Sequence, residues 1–299
     1  MRTIKYFLSF TLIFLTGCAG FKPNIYIPQK MPKPLTMENP VSIALVLGSG
    51  GARGYAGAGV IEALKKNHIK INLIVGTSAG SIIGAIYADQ GNIGQTKKIL
   101  MSASFFDFAD INNIPHLNGL ISGYHLQKFL LRNMKHKEFS QLHIPLVVVT
   151  TNIQNGKRVL ISSGPIAPAV NASSAIPGVL DPVKLYGKTL VDGGISDPIA
   201  TDIAKYYKAQ IIIAVDVDKQ LSPKVPITGI GLAKRGVDIA LNNLGNCGAD
   251  EADVVIRPQL TQNTFDIADK KKIYKSGYTA GMNAIPQIKN LMRKKNISQ

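Results

Sequence analysis

With 299 residues, 45% of them hydrophobic, the chain is long enough for one large domain and suits a buried parallel sheet. Its formal net charge of +16 raises nucleic acid as a partner. However, the basic residues fall in short scattered groups (Lys65-Lys66, Lys97-Lys98, Lys135 to Lys137, Lys270 to Lys272, Arg293 to Lys295), there is no Trp, and no nucleic-acid module is recognisable, so no nucleic-acid partner is expected. Most of these groups read as solvated helix faces; an acidic lipid surface would also attract them.

Residues 1–17 place Arg2 and Lys5 ahead of the apolar run Phe7 to Leu15, too short to span a bilayer and of the right length for a secretory signal. The run stops at Leu15-Thr16-Gly17-Cys18, which resembles the bacterial lipobox. That resemblance implies a lipid-modified Cys18 as mature N-terminus and, with Ala19 following rather than Asp, an outer-membrane lipoprotein facing the periplasm. The one other cysteine, Cys247, then has no disulfide partner within the chain and is expected as a buried small hydrophobe. Residues 18–40 carry Pro23, Pro28, Pro32, Pro34 and Pro40 and predict an extended spacer that holds the domain off the membrane. A folded domain is expected over 41–290, followed by a basic tail over 291–299.

The first predicted strand is Val41 to Leu47. It ends in Gly48-Ser49-Gly50-Gly51-Ala52-Arg53-Gly54, and a helix follows over Tyr55 to Lys66. A dinucleotide fingerprint wants an acidic residue at the end of the next strand, and a Walker loop wants Gly-Lys-Ser/Thr; neither is present. The loop therefore reads as an oxyanion hole built from the Gly50 and Gly51 amides, with Arg53 as a clamp on it or, in the competing reading, a charge for an anionic head group. The next strand, Leu73 to Val75, breaks at Gly76-Thr77-Ser78-Ala79-Gly80 and continues as a helix. Strand, sharp turn and helix put Ser78 at the apex of a nucleophile elbow, with Gly76 and Gly80 permitting close packing.

Residues 91–123 read as irregular and apolar, with Phe105, Phe106 and Phe108 as core or as a flap over a lipid site. A helix is expected over Tyr124 to Met134, a strand over Ile144 to Thr150, a hairpin at Asn155-Gly156, and a helix from Pro165 to Ala175. Lys188 to Val191 leads into Asp192-Gly193-Gly194, which taken alone reads as a turn, and Asp197-Pro198 announces a helix. Gln210 to Val215 and Ala252 to Ile256 are further buried strands, and a helix over Asp266 to Ala284 is expected to bend or stop at Pro286.

The glycine loop with Arg53, the Gly76 to Gly80 elbow and Asp192-Gly193-Gly194, in this order, resemble the patatin-like phospholipase family over residues 41–290, and Ala172 to Gly178 is similar to its bacterial members. The resemblance implies a three-layer α/β/α fold with a mostly parallel central sheet. It implies hydrolysis of lipid acyl esters by a Ser-Asp dyad without metal or other cofactor, Ser78 matching the nucleophile, Asp192 the base, and Gly50, Gly51 and Arg53 the oxyanion loop. Ser49 stands where the family loop carries a further glycine. Independently, all five histidines (His68, His116, His125, His136, His143) precede Asp192, the reverse of the Ser, acid, His order of α/β-hydrolases. No metal-ligand spacing is present. The expected function is a membrane-anchored phospholipase A or lysophospholipase; the competing expectation is a lipid-binding or envelope-assembly lipoprotein with little turnover.

Overall fold

Alternate residues of the strands feed two separate cores. Ile43, Leu45 and Leu47 face one, while Ala44 and Val46 face the other, and all are buried. A strand covered on both faces has no solvent side to be polar, which is why these segments read as continuous apolar runs. The computed structural model describes residues 30–37, 40–108, 111–116, 119–217, 221, 224–261 and 267–297. The signal segment, Cys18, the linker up to residue 29 and Asp266 lie outside the described residues.

In chain order the elements are β1 (Ile43–Leu47), α1 (Tyr55–Lys66), β2 (Leu73–Thr77), α2 (Ala79–Gln90), α3 (Ile93–Ser102), β3 (Ile111–His116), β4 (Gly119–Ile121), α4 (Tyr124–Asn133), β5 (Leu146–Asn152), β6 (Arg158–Ile161), α5 (Ile166–Ser173), β7 (Val183–Leu185), β8 (Lys188–Asp192), α6 (Thr201–Tyr206), β9 (Ile211–Val215), α7 (Gly229–Ala249), β10 (Val254–Ile256) and α8 (Lys270–Lys294). The main sheet runs β10-β9-β1-β2-β5-β8-β7, with β6 also paired to β5. The five strands from β10 to β5 are parallel; β6, β7 and β8 are antiparallel additions. One layer of helices, including α1, α2, α4, α5 and α8, covers the first face, and α6 covers the second with Ile203 and Ala204. This is the expected three-layer α/β/α architecture with a mostly parallel sheet.

Strand order reverses at β1, which lies between β2 and β9. The crevice beyond the carboxyl ends of the strands at such a reversal is where open α/β sheets bind ligands. The loop after β1, the turn after β2 and the end of β8 all open there. Gly80 is what lets α2 approach β1: a Cβ at Gly80 would stand 2.1 Å from the Leu47 carbonyl oxygen. Gly80→Ala is therefore expected to destabilise the fold by about 3 kcal/mol or more, read from urea denaturation, because the obstacle is backbone that cannot rotate aside.

Several expectations are corrected. Residues 93–102 form α3, capped by Asn92, whose side chain accepts from the Gly94 and Gln95 amides, and 111–116 and 119–121 form the antiparallel pair β3 and β4; these stretches are not irregular. Asp197 caps no helix, since α6 starts at Thr201; its carboxylate instead pairs with Arg158, which also holds Asp202 at 2.7 Å. The closing helix begins at Lys270 and continues through Pro286; the lost backbone hydrogen bond is offset by the burial of Ile285, Ile288 and Met292 around it. Residues 291–294 thus belong to α8 rather than to a tail. Lys270 is not a purely solvated residue, since its ammonium reaches the Ala103 carbonyl. Cys247 is exposed, on a helix, α7, that is absent from the sequence-based expectations. The described end of the linker, residues 30–37, lies along the domain. The Leu35 amide donates to Ser162 Oγ (2.9 Å), the Tyr207 hydroxyl donates to the Leu35 carbonyl (3.1 Å), and Leu35 and Met37 join the second core.

Candidate active site

Ser78 ends β2 with φ 54° and ψ −122°, a backbone conformation that a residue with a Cβ adopts only when its surroundings impose it. Three contacts impose it here. The Ser78 amide donates to Ser173 Oγ (2.9 Å), that hydroxyl donates to the Val149 carbonyl (2.7 Å), and the Ser78 carbonyl accepts from the Ser81 hydroxyl (2.6 Å). The turn is thereby pinned to both β5 and α5. The role of Ser173 escapes the sequence reading, although a hydroxyl at the end of the largely apolar α5 is a usable signal.

Asp192 arrives from the opposite direction. The register pairs Thr150 with Asp192 and Thr77 with Val149, so antiparallel β8 ends one step beyond the end of parallel β2. Ser78 Oγ donates to Asp192 Oδ2 at 2.6 Å, and the Gly194 amide donates to Oδ1 at 2.7 Å. The Asp192 carbonyl accepts from Thr151 Oγ1 (2.9 Å) and its amide donates to the Ala175 carbonyl (2.9 Å), so side chain and main chain are both fixed. Gly193 is needed for this approach, because a Cβ there would lie 2.2 Å from the Val149 carbonyl oxygen. Burial pushes the Asp192 carboxyl from its ordinary 3.8 up to about 6, against the opposing pull of the Ser78 and Gly194 hydrogen bonds.

The glycine loop closes the third side. The Gly48 and Ser49 amides donate to the Val215 and Pro198 carbonyls (3.1 and 3.0 Å), whereas the amides of Gly50 and Gly51 have no main-chain acceptor among the described residues. Arg53 is buried and its Nε donates to the Gly50 carbonyl at 3.2 Å. Gly51 lines the same cavity as Ser78, and a Cβ on Gly50 would stand 2.5 Å from Val217 Cγ2. Ser49 is accommodated because Gly194 faces it: a Cβ on Gly194 would lie 3.0 Å from the Ser49 hydroxyl. Gly76 meets the start of α2 in the same way, its missing Cβ 2.7 Å from the Ser81 Cα.

A cavity of about 450 Å³ opens at Ser78, walled largely by apolar side chains such as Ile82, Ile83, Leu100, Phe108, Leu126 and Ile176. Three histidine side chains are engaged away from Ser78. His125 meets the Phe106 carbonyl (2.7 Å), His136 meets Asp89 (3.0 Å), and His143 stacks edge-on against His136. The arrangement can bring an apolar chain up to a hydroxyl whose proton has a buried carboxylate to go to.

Residues 45–205 match the patatin profile, described as patatin-like phospholipase. Lysophospholipase nte1 of Aspergillus niger is 29% identical over 280 residues, covering 83% of this chain and 18% of that protein. An uncharacterised NTE family protein of Mycobacterium bovis is 33% identical over 197 residues, covering 63% of this chain and 53% of its own length. The chain thus spans only part of either relative. Among solved structures, VipD from Legionella pneumophila shares the fold, with a TM-score of 0.54 at 15% identity over 83% of this chain and 67% of that one. The chain belongs to the patatin-like phospholipase family.

Proposed function

We propose that the chain is a lipid acyl hydrolase in which Ser78 is the nucleophile and Asp192 the general base. The observation that carries this reading is the 2.6 Å hydrogen bond from Ser78 Oγ to Asp192 Oδ2 at the mouth of an apolar cavity. Asp192 accepts the hydroxyl proton as Oγ attacks the ester carbonyl, and the amides of Gly50 and Gly51 stabilise the oxyanion. The proton passes to the leaving alcohol, an acyl-Ser78 ester remains, and a water deprotonated by Asp192 releases the fatty acid. A carboxylate of ordinary basicity is a poor match for this work; the raised pKa of Asp192 brings it nearer to neutral pH.

The substrate is an acyl ester of a lipid, with a phospholipid or lysophospholipid as the first candidates, because the apolar cavity at Ser78 and the lysophospholipase name of the Aspergillus relative both point there. The test is release of fatty acid from lysophosphatidylcholine and phosphatidylcholine by the purified protein, followed by mass spectrometry. Absence of release from both would overturn the reading in favour of a lipid-binding lipoprotein.

Arg53 holds the oxyanion loop rather than touching substrate. Arg53→Ala is expected to lower kcat on a short nitrophenyl ester by roughly a hundredfold with little change in KM, because a small displacement of positioned groups costs that much. The lipobox at Cys18 supports lipid anchoring in the cell envelope, at the outer membrane facing the periplasm. Labelling with palmitate should be lost in Cys18→Ser; retained label would refute the anchor.

A further inference from the structure

Two hydroxyls in the wall of the Ser78 cavity have nothing to bond. Apart from Ser78, the side chains that line this cavity carry a polar atom at Tyr55 and Ser174 alone among the described residues. Tyr55 is 5% exposed and Ser174 9%, and neither hydroxyl has a hydrogen-bond partner. Buried polar groups are paired as a rule, because an unpaired one gives up its water and gains nothing in return. Two of them in one otherwise apolar wall point to a ligand that pairs them.

Their placement says which part of the ligand they meet. Ser174 follows Ser173, whose hydroxyl holds the Ser78 amide (2.9 Å), and precedes Ala175, whose carbonyl accepts from the Asp192 amide (2.9 Å). It is therefore held beside the reacting centre. Tyr55 opens α1 directly after the glycine loop. It feels the charge of Asp107, but that carboxylate is already taken by the Ser104 amide and hydroxyl (both 2.9 Å) and by Arg132 (2.7 Å). Burial, with a smaller push from Asp107, holds the Tyr55 hydroxyl well above its ordinary 10, so it remains a neutral donor. A polar head group stays at the mouth, where water reaches it. A buried hydroxyl in a wall shared with Ile83, Leu100 and Leu126 meets the hydrocarbon half of the substrate instead. A plain acyl chain leaves both hydroxyls unpaired, whereas a chain with a hydroxyl of its own can satisfy them, which is how a buried polar wall discriminates.

We propose that Tyr55 and Ser174 make the cavity selective for acyl chains that carry a hydroxyl group over plain chains of the same length. That the carbonyl end of the chain lies at Ser78 rests on the acyl-hydrolase reading; the two unpaired hydroxyls do not. The test measures binding to the full chain with Ser78→Ala, by displacement of an anthroyloxy-labelled fatty acid. The competitors are myristate, β-hydroxymyristate and a myristate hydroxylated near mid-chain. At least one hydroxylated chain should bind tighter than myristate by on the order of tenfold, the usual worth of pairing a buried hydroxyl. Adding Tyr55→Phe together with Ser174→Ala should bring that ratio to about one. Tyr55→Phe alone should keep or raise the urea midpoint, because it removes a hydroxyl that bonds nothing. Equal affinities for the three chains, no binding by any of them, or a preference that survives both substitutions would overturn the proposal. So would a lower midpoint in Tyr55→Phe, since its hydroxyl would then have a structural partner. A ratio of one for the fatty acids with tighter binding of monomyristoylglycerol would also overturn it, since the hydroxyls would then read the alcohol half. Because binding is read without turnover, while fatty acid release by wild type decides the hydrolase reading, the two can fail separately.

Discussion

Ser78→Ala is expected to lower turnover of lipid esters by on the order of ten-thousandfold or more, because removal of a nucleophile leaves only the binding groups and the oxyanion donors. The fold should survive. Alanine retains the Cβ that the turn already tolerates at φ 54°, and the backbone amide at this position keeps its bond to Ser173. The lost contact is one side-chain hydrogen bond, worth about 1 kcal/mol net. Loss of that bond also removes part of what holds the Asp192 carboxyl down, so its pKa should rise further above 6. Turnover of a nitrophenyl ester and of lysophospholipid, measured alongside urea denaturation, checks both halves. Wild-type turnover in folded Ser78→Ala protein would rule out the nucleophile assignment.

Asp192→Asn should lose activity by a comparable factor and gain stability. A raised carboxyl pKa means that folding favours the protonated form, so at neutral pH the ionised side chain opposes folding. The rise from 3.8 to about 6 corresponds to about 3 kcal/mol. Working the sign through, wild type and variant differ least below pH 4, where Asp192 is protonated both folded and unfolded. The advantage of the asparagine variant grows as pH rises to about 6 and is constant above it. Asparagine suits the geometry, since its carbonyl can accept from the Gly194 amide and its amide can donate to Ser78 Oγ. The same carboxyl sets the pH profile of the wild type: kcat/KM should fall about tenfold for each pH step below 6, as the base takes up its proton. Thermal unfolding from pH 4 to 8 checks the first statement and initial rates over the same range check the second. A variant less stable than wild type at pH 7 would show that Asp192 is held as a structural ion rather than as a strained base.

How far the sequence can be read depends on where the determining contacts lie. The strands and the elbow are local in cause: apolar runs that stop at glycine, with each glycine required where one backbone meets another, as at Gly80 against Leu47 and Gly193 against Val149. Ser78 and Asp192 are therefore visible as strand ends, although only the antiparallel entry of β8 explains how they meet. Asp197-Pro198 misleads because its helix-start signal is local while its actual partner, Arg158, is 39 residues away in sequence. Helix α7 is hard to see for a different reason. Gly229, Gly231, Gly236, Gly245 and Gly248 all lie within it, and glycine is a poor helix former that reads locally as loop. Pro286 is a local stop signal overridden by tertiary packing, since Ile285, Ile288 and Met292 are buried around it and hold α8 together.

The most direct test of the central claim is to treat the wild type with an alkyl fluorophosphonate and map the adduct by peptide mass spectrometry. The account predicts one phosphonylated residue, Ser78, formed far more slowly in Asp192→Asn. An adduct at any other serine, or labelling of Ser78 at an unchanged rate without the Asp192 carboxylate, would contradict it.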